Sequence, residues 1–213
     1  MIREKARTGS VPIQFSPGKT TLRIAADQLP PKIGTLMDPH AFLDALISPA
    51  AHADVPDAQR IFEPFLGSWA LVVRWFGPDG DLVRQEDGEW HFSRVLEGRA
   101  IQDVWIVPPR GKRDVGAYEY GTSLRFYDAS LGGWRSTWIG PMHGAVLTFV
   151  ARQKGDMVVL ETTEGIQPAR RWTFRDISSS GFSWIHEEEA GENWRIVQTF
   201  AARRPDVASS SPQ

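Results

Sequence analysis

The chain has 213 residues, 41% of them apolar and 23% charged, and its 24 Lys and Arg against 26 Asp and Glu give a formal charge of −2. That balance fits one globular domain with appendages and excludes wholesale disorder, a collagen-like repeat or a coiled coil. With no cysteine anywhere, thiolate nucleophiles, cysteine-ligated metals, iron–sulfur clusters and disulfides are excluded too. The unusual feature is aromatic: nine Trp and eleven Phe stand against three Tyr.

The start, Met1 to Arg7, is charged and is not followed by an apolar stretch of signal length. No later run approaches the roughly 18 apolar residues of a spanning helix. The expected setting is therefore cytoplasmic, with no membrane partner. Residues 1–37 carry Pro12, Pro17, Pro30 and Pro31, with only Leu22-Arg23-Ile24 hinting at a strand, and read as an extended arm. Over 38–64, Asp38 offers an N-cap and Pro39 a first helical position, with apolar residues at 42, 43, 46 and 47. That pattern predicts one short amphipathic helix. Pro56 to Phe62 offers another turn or two, ending before Pro64.

From residue 65 to 204 the pattern changes to strand after strand. Ten are predicted, over 65–76, 81–93, 99–108, 117–127, 133–140, 145–153, 156–164, 169–176, 181–189 and 194–203. Glycine-bearing turns such as Gly77-Pro78-Asp79-Gly80 and Gly191-Glu192-Asn193 separate them. Connections this short imply antiparallel neighbours. Period-two patterning is plain in Trp134/Ser136/Trp138, in Phe182/Trp184/His186/Glu188 and in Trp194/Ile196/Gln198/Phe200. The expectation is an all-β, up-and-down antiparallel barrel of about ten strands, since closure alone removes so many edges. Residues 205–213, rich in Ser, are expected to be a disordered tail.

Phe65-Leu66-Gly67-Ser68-Trp69, a Gly-x-Trp opening the first long strand after a short helix, resembles the start of the calycin barrels, the lipocalins, fatty-acid-binding proteins and their relatives. The resemblance implies a basic residue near the end of the last strand packed on that Trp, so that Trp69 would meet Arg203 or Arg204. Gly121 to Asp128, Trp134 to Pro141 and Phe182-x-Trp184 with Trp194 and Arg203 are similar to a bacterial family of lipocalin-like proteins, over most of residues 62–204. Nitrobindin-type haem barrels share the ten-strand form, with an iron-ligating His in the final strand. Here Arg195 to Phe200 contains no His. No haem, and no other cofactor or metal, is therefore expected, although His186 stands one strand earlier.

The barrel interior follows from strand parity, and a slip of one residue exchanges inside for outside. Aromatic parity nominates Trp75, Trp90, Trp105, Trp138, Trp172 and Trp184 as pocket walls, or equally as plain core or as cover on the outside under the N-terminal arm. Asp103 and Arg125 are paired with each other or, for Arg125, with a ligand carboxylate. His186 and Glu188 share a face and could move a proton, or could belong to the solvated strand end Glu187-Glu188-Glu189. His143 lies in a loop that could stand at a barrel mouth, and Tyr127 shares the face of Arg125. Phosphate-binding glycine loops, zinc-protease and nucleophile-elbow motifs are all missing. A slightly acidic chain also lacks the basic groove that single-stranded nucleic acid needs.

Three functions fit these residues. The first is binding of a small hydrophobic or aromatic molecule through Trp75, Trp90, Trp105, Arg125, Trp138, His143, Trp172, Trp184 and His186. The second is a cofactor-independent enzyme, of isomerase, cyclase, lyase or decarboxylase type, using His186, Glu188, Asp103, Arg125 or Tyr127. The third is an oligomerisation module, such as a homodimer built on outward Trp.

Overall fold

The computed structural model describes residues 39–112 and 118–205. The predicted arm, the N-cap Asp38 and the tail beyond Pro205 lie outside the described residues. One helix, α1 (Pro39–Leu46), precedes ten strands: β1 (Gly67–Phe76), β2 (Leu82–Val95), β3 (Ala100–Val107), β4 (Glu119–Asp128), β5 (Gly133–Gly140), β6 (Ala145–Lys154), β7 (Met157–Thr162), β8 (Arg170–Arg175), β9 (Gly181–Ala190) and β10 (Asn193–Arg203). Each pairs antiparallel with its chain neighbours, and β1 pairs with β10 to close the barrel. The predicted ten-strand closure is what the chain forms. Among the described residues no helix is long and apolar enough to cross a membrane.

Closure follows from local chemistry. Alternation of buried with more exposed residues is clear in β1, where Trp69, Leu71 and Val73 are buried between more exposed neighbours, while β7 and β8 each bury three successive residues. Tight turns reverse the chain where glycine supplies a left-handed backbone, as at Gly155 (φ 67°) and Gly191 (φ 64°). Ladder pairing then places the inward residues in layers.

The two barrel ends differ. The hairpins β2–β3, β4–β5, β6–β7 and β8–β9 gather at one end, which the segment before β1 seals. Two single 3₁₀ turns, Asp57–Gln59 and Glu63–Phe65, carry Phe62 and Phe65 into the barrel, both fully buried. Pro64 sits within the second turn instead of ending a helix before it. The Phe62 ring meets Trp134 edge-on at 5.2 Å and Phe174 at 6.3 Å. Phe65 meets Phe174 at 4.7 Å and Phe182 at 4.9 Å. Outside, Arg94 and Glu63 form an ion pair, and Ser48 N–H donates to the Arg94 carbonyl at 2.9 Å. The plug is thus tied to β2.

The first and last strands are tied there as well. Arg204 lies over the Trp69 ring at 3.5 Å and donates from Nη1 to the Leu66 carbonyl at 2.8 Å. Of the two arginines the resemblance offered, Arg204 is the partner, while Arg203 pairs in the ladder with Ala70 and faces out. Such a contact contributes on the order of 1 kcal/mol.

Parity fails in one strand. The β9–β10 register shifts between Ile196 and Gln198, so an extra residue turns the chain over. Trp194 and Ile196 are exposed while Phe200 is buried, although spacing puts all of them on one face. Trp194 instead carries the Arg171 guanidinium over its ring at 4.5 Å. In α1, Phe42 and Leu43 are exposed, as is Ile47 just after it, and of the apolar stripe read from the sequence Leu46 alone is half-buried.

Candidate functional site

At the end opposite the plug the barrel is open and encloses a cavity of about 230 Å³. The hairpins β1–β2, β3–β4, β5–β6, β7–β8 and β9–β10 surround this mouth. Trp90 of β2, Trp105 of β3, Trp138 of β5, Trp172 of β8 and Trp184 of β9 form the walls, with Phe200 and Leu147. The rings interlock. Trp184 stacks on Phe200 (4.9 Å, 16°), Trp172 meets Trp184 at 5.5 Å, and Trp90 meets Trp105 edge-on at 5.2 Å. Offset and edge-on packing of this kind adds about 0.5–1.5 kcal/mol per pair beyond area burial.

A glycine seat holds one wall. A Cβ built on Gly121 would collide with the Trp138 ring and lie 2.9 Å from the Ile139 carbonyl, and one on Gly140 would lie 3.0 Å from Trp138 Nε1. Trp138 can lie flat over β4 only because both positions lack a side chain. Gly121→Ala is expected to lower stability by about 1–3 kcal/mol through overpacking and to displace Trp138. Urea titration followed by tryptophan fluorescence checks both effects.

The rim is charged and paired. Arg170 Nε lies 3.0 Å from Glu188 Oε1, and Arg195 Nη2 lies 3.5 Å from Glu188 Oε2. Trp105 Nε1–H donates to Glu119 at 3.0 Å. His143 stands at the mouth with these groups. Of the glutamates at the end of β9, Glu189 is exposed as a solvated residue would be, whereas Glu188 pairs as above and Glu187 accepts from Arg171 at 2.8 Å.

His186 lies deeper, its ring 5.8 Å from Trp172 and 5.9 Å from Trp184. Burial, reinforced by the positive charges of Arg170 and Arg195, pushes its pKa down to about 3. Glu188, with Oε1 3.8 Å from His186 Nε2, does not offset this. The imidazole is neutral at pH 7. The unfolded chain takes up a proton near pH 6.5 that the folded site refuses, so stability is full above 6.5. It falls by about 1.4 kcal/mol per pH unit on acidification toward 3. His186→Gln is expected to flatten that slope in urea midpoints measured from pH 7 to 4.

Beneath the cavity sits a fully buried ion pair. Arg125 Nη1 lies 2.5 Å from Asp103 Oδ2, and both side chains are 0% exposed. Asp103 Oδ1 also accepts from the Ser123 N–H at 3.0 Å. The Arg125 guanidinium lies 5.1 Å from the centre of Phe62 and 5.7 Å from that of Phe92, between cavity and plug.

Of the nine residues nominated for binding, the structure places Trp90, Trp105, Trp138, His143, Trp172, Trp184 and His186 around this one cavity. Arg125 lies below it, bound to Asp103. Trp75 is not among its lining residues and instead carries Arg84 over its ring at 4.4 Å. Tyr127 is at the plug end, packed on Trp134 at 6.3 Å. Glu188 joins the rim. Ser123, Glu119, Arg170, Gln198 and Phe200 also line the cavity and were not nominated. Arg99, which shares a parity with Asp103, turns away to Asp54 at 2.6 Å.

On the outer face, Ser68 and His91 are cross-strand partners 2.9 Å apart, and His91 Nε2 lies 3.0 Å from Glu89. Arg110 donates to Glu89 at 2.8 Å and, as the leading cause, holds that carboxyl down at about 2. This relay fixes β1 against β2 outside the barrel. No group of three or more His, Asp or Glu able to hold a metal occurs among the described residues.

No family model matches the chain, and no curated protein matches it. Among solved structures, the S-type phycobiliprotein lyase CPES from Guillardia theta aligns at 12% identity with a TM-score of 0.47, covering 70% of this chain and 92% of the lyase. A redesigned β-barrel aligns at 12% identity with a TM-score of 0.37, covering 69% and 96%.

Proposed function

We propose that this protein is a lipocalin-like barrel that binds one small aromatic molecule in the mouth cavity. The observation that carries this reading is the wall of five tryptophans around a half-open cavity of about 230 Å³. A dry cavity of about 150 Å³ takes up benzene. The larger volume here suits a substituted single ring or a fused bicycle. Apolar walls with a few polar groups at one rim are the usual make-up of a small-molecule site. The seal at the opposite end leaves the mouth as the entrance.

Proton-transfer catalysis fits the same residues less well. A general base works best with a pKa near the operating pH, whereas His186 is held near 3. Glu188 is engaged by two arginines, Asp103 and Arg125 engage each other, and Tyr127 stands at the far end. These placements favour retention of a ligand over its turnover.

Native mass spectrometry of freshly purified protein, set against the denatured mass, tests the reading. A non-covalent adduct of one small aromatic molecule is expected, or its recovery on adding a panel of one- and two-ring aromatics. Trp184→Ala should weaken that uptake by tenfold or more. A bare mass that no member of the panel changes would overturn it.

A further inference from the structure

The outer face of the barrel holds a groove of about 630 Å³ that shares no lining residue with the mouth cavity. It runs over β1, with β2 on one side and β10 on the other. Ser68, Ala70 and Ala201 are small, which leaves the surface hollow there. The ladders set Ser68 opposite His91, Ala70 opposite Glu89 on β2, and Ala70 opposite Arg203 on β10. All five residues line the groove.

Three of these groups form a chain. Ser68 Oγ lies 2.9 Å from His91 Nδ1, and His91 Nε2 lies 3.0 Å from Glu89 Oε2. Arg110 holds the Glu89 carboxyl down at about 2, so at neutral pH it is a carboxylate and can only accept. Nε2 of the neutral imidazole must then carry the ring proton, and Nδ1 turns its lone pair to the Ser68 hydroxyl. Arg110 Nη2 stands farther from Nε2, at 3.5 Å, and donates to Glu89. A hydroxyl within reach of a base that a third group orients is the arrangement that makes a serine nucleophilic. Ser68 is exposed, so a substrate has access to it.

The charges of the lining add a preference. Glu89 is met by Arg110, and Asp87 by Lys112 at 3.2 Å. Among the described residues, Arg74 donates to the neutral Gln85 and the Arg203 side chain meets no acceptor. Two guanidinium groups therefore line the groove without a carboxylate partner.

We propose that Ser68, His91 and Glu89 act as nucleophile, base and orienting carboxylate in cleaving small esters that carry a carboxylate elsewhere in the molecule, with Arg74 and Arg203 binding that anion. The Ser68 oxygen bonds to the ester carbonyl carbon while its proton passes to His91 Nδ1. The carbon–oxygen bond to the leaving alcohol breaks, and the alcohol departs with that proton. Water, giving a proton to the same nitrogen, then attacks the acyl group, releases the acid and restores the Ser68 hydroxyl. No co-reactant other than water is needed. The site is independent of the aromatic-binding reading, and neither stands or falls with the other.

The full chain is treated with a fluorophosphonate, whose phosphorus loses fluoride to an activated serine oxygen, and the labelled residue is located by peptide mass spectrometry. Label is expected on Ser68, about a hundredfold or more faster than on any other serine. His91→Ala should lower that rate by about a hundredfold or more, and Glu89→Gln by about tenfold. Turnover is read with 4-acetoxybenzoate and its methyl ester. The charged ester should show a kcat/KM about tenfold higher or more, although the methyl ester is the more reactive of the two in water. Replacing Arg74 and Arg203 together by Gln should remove that difference. Labelling of Ser68 no faster than of other exposed serines, or undiminished in His91→Ala, would overturn the relay. Labelling without turnover of either ester would overturn the reaction, and equal kcat/KM for the two esters would overturn anion binding by the arginines.

Discussion

Asp103→Ala is expected to lower the unfolding free energy by about 3–5 kcal/mol, because it leaves the Arg125 charge buried without a counterion. Domains of this kind are stable by about 5–15 kcal/mol in all, so the variant should stand near the edge of folding. None of the three Arg125 nitrogens is in hydrogen-bonding geometry with a protein acceptor, and attraction across 2.5 Å to Asp103 is the chief compensation. Arg125→Leu should cost a similar amount for the opposite reason, stranding a carboxylate. Replacing both, as Asp103→Leu with Arg125→Met, removes two desolvated charges at once and should recover most of the loss, or exceed the starting stability. Urea midpoints of the four proteins decide the matter. A double variant as weak as either single would mean that the pair acts through packing against Phe62 and Phe92 and not through charge.

The second large effect belongs to the plug. Phe62→Ala removes a fully buried ring that touches Phe65, Trp134 and Phe174. The loss should be about 3–5 kcal/mol, since the surrounding strands are hydrogen-bonded to their neighbours and can collapse only partly into the space. Phe42→Ala on the exposed face of α1 is the matched control and should change stability by less than about 0.5 kcal/mol. Because plug and mouth occupy opposite ends, the Phe62 variant should keep its affinity for an aromatic probe under conditions where it remains folded. A parallel fall in affinity would show that the two ends are mechanically coupled.

Much of the barrel was legible because its signals are local. Turn glycines marked the strand ends within about two residues, and alternation grouped the residues of one face in β1, β5 and β9 without saying which face pointed inward. Where the structure departs, the cause is non-local. The register shift in β10 has no marker in Trp194 to Phe200, and only the pairing of Gln198 with His186 reveals which residues turned inward. Trp75 keeps the parity of Trp69 and packs against the core, yet it stands outside the cavity lining. Glu119, Arg170 and Gln198 are polar residues near strand ends, indistinguishable in sequence from solvated ones until neighbouring strands bring them together at the mouth. The acceptor of the Trp134 indole was likewise invisible, since the Gln59 carbonyl lies 75 residues away in the chain.

The strand order carries a consequence for how the molecule is made. Every ladder but one joins strands adjacent in the chain, so nearly all of the sheet can zip up hairpin by hairpin with short loops to close. The exception is β1 with β10, sealed by Arg204 on Trp69. On a translating ribosome at about 5–20 residues per second, β1 waits about 6–25 s for its second partner. During that interval its free edge is open to any other strand. Crowded synthesis should therefore favour exchange of β1 or β10 between nascent copies, and slower production or chaperone binding at that edge should suppress it.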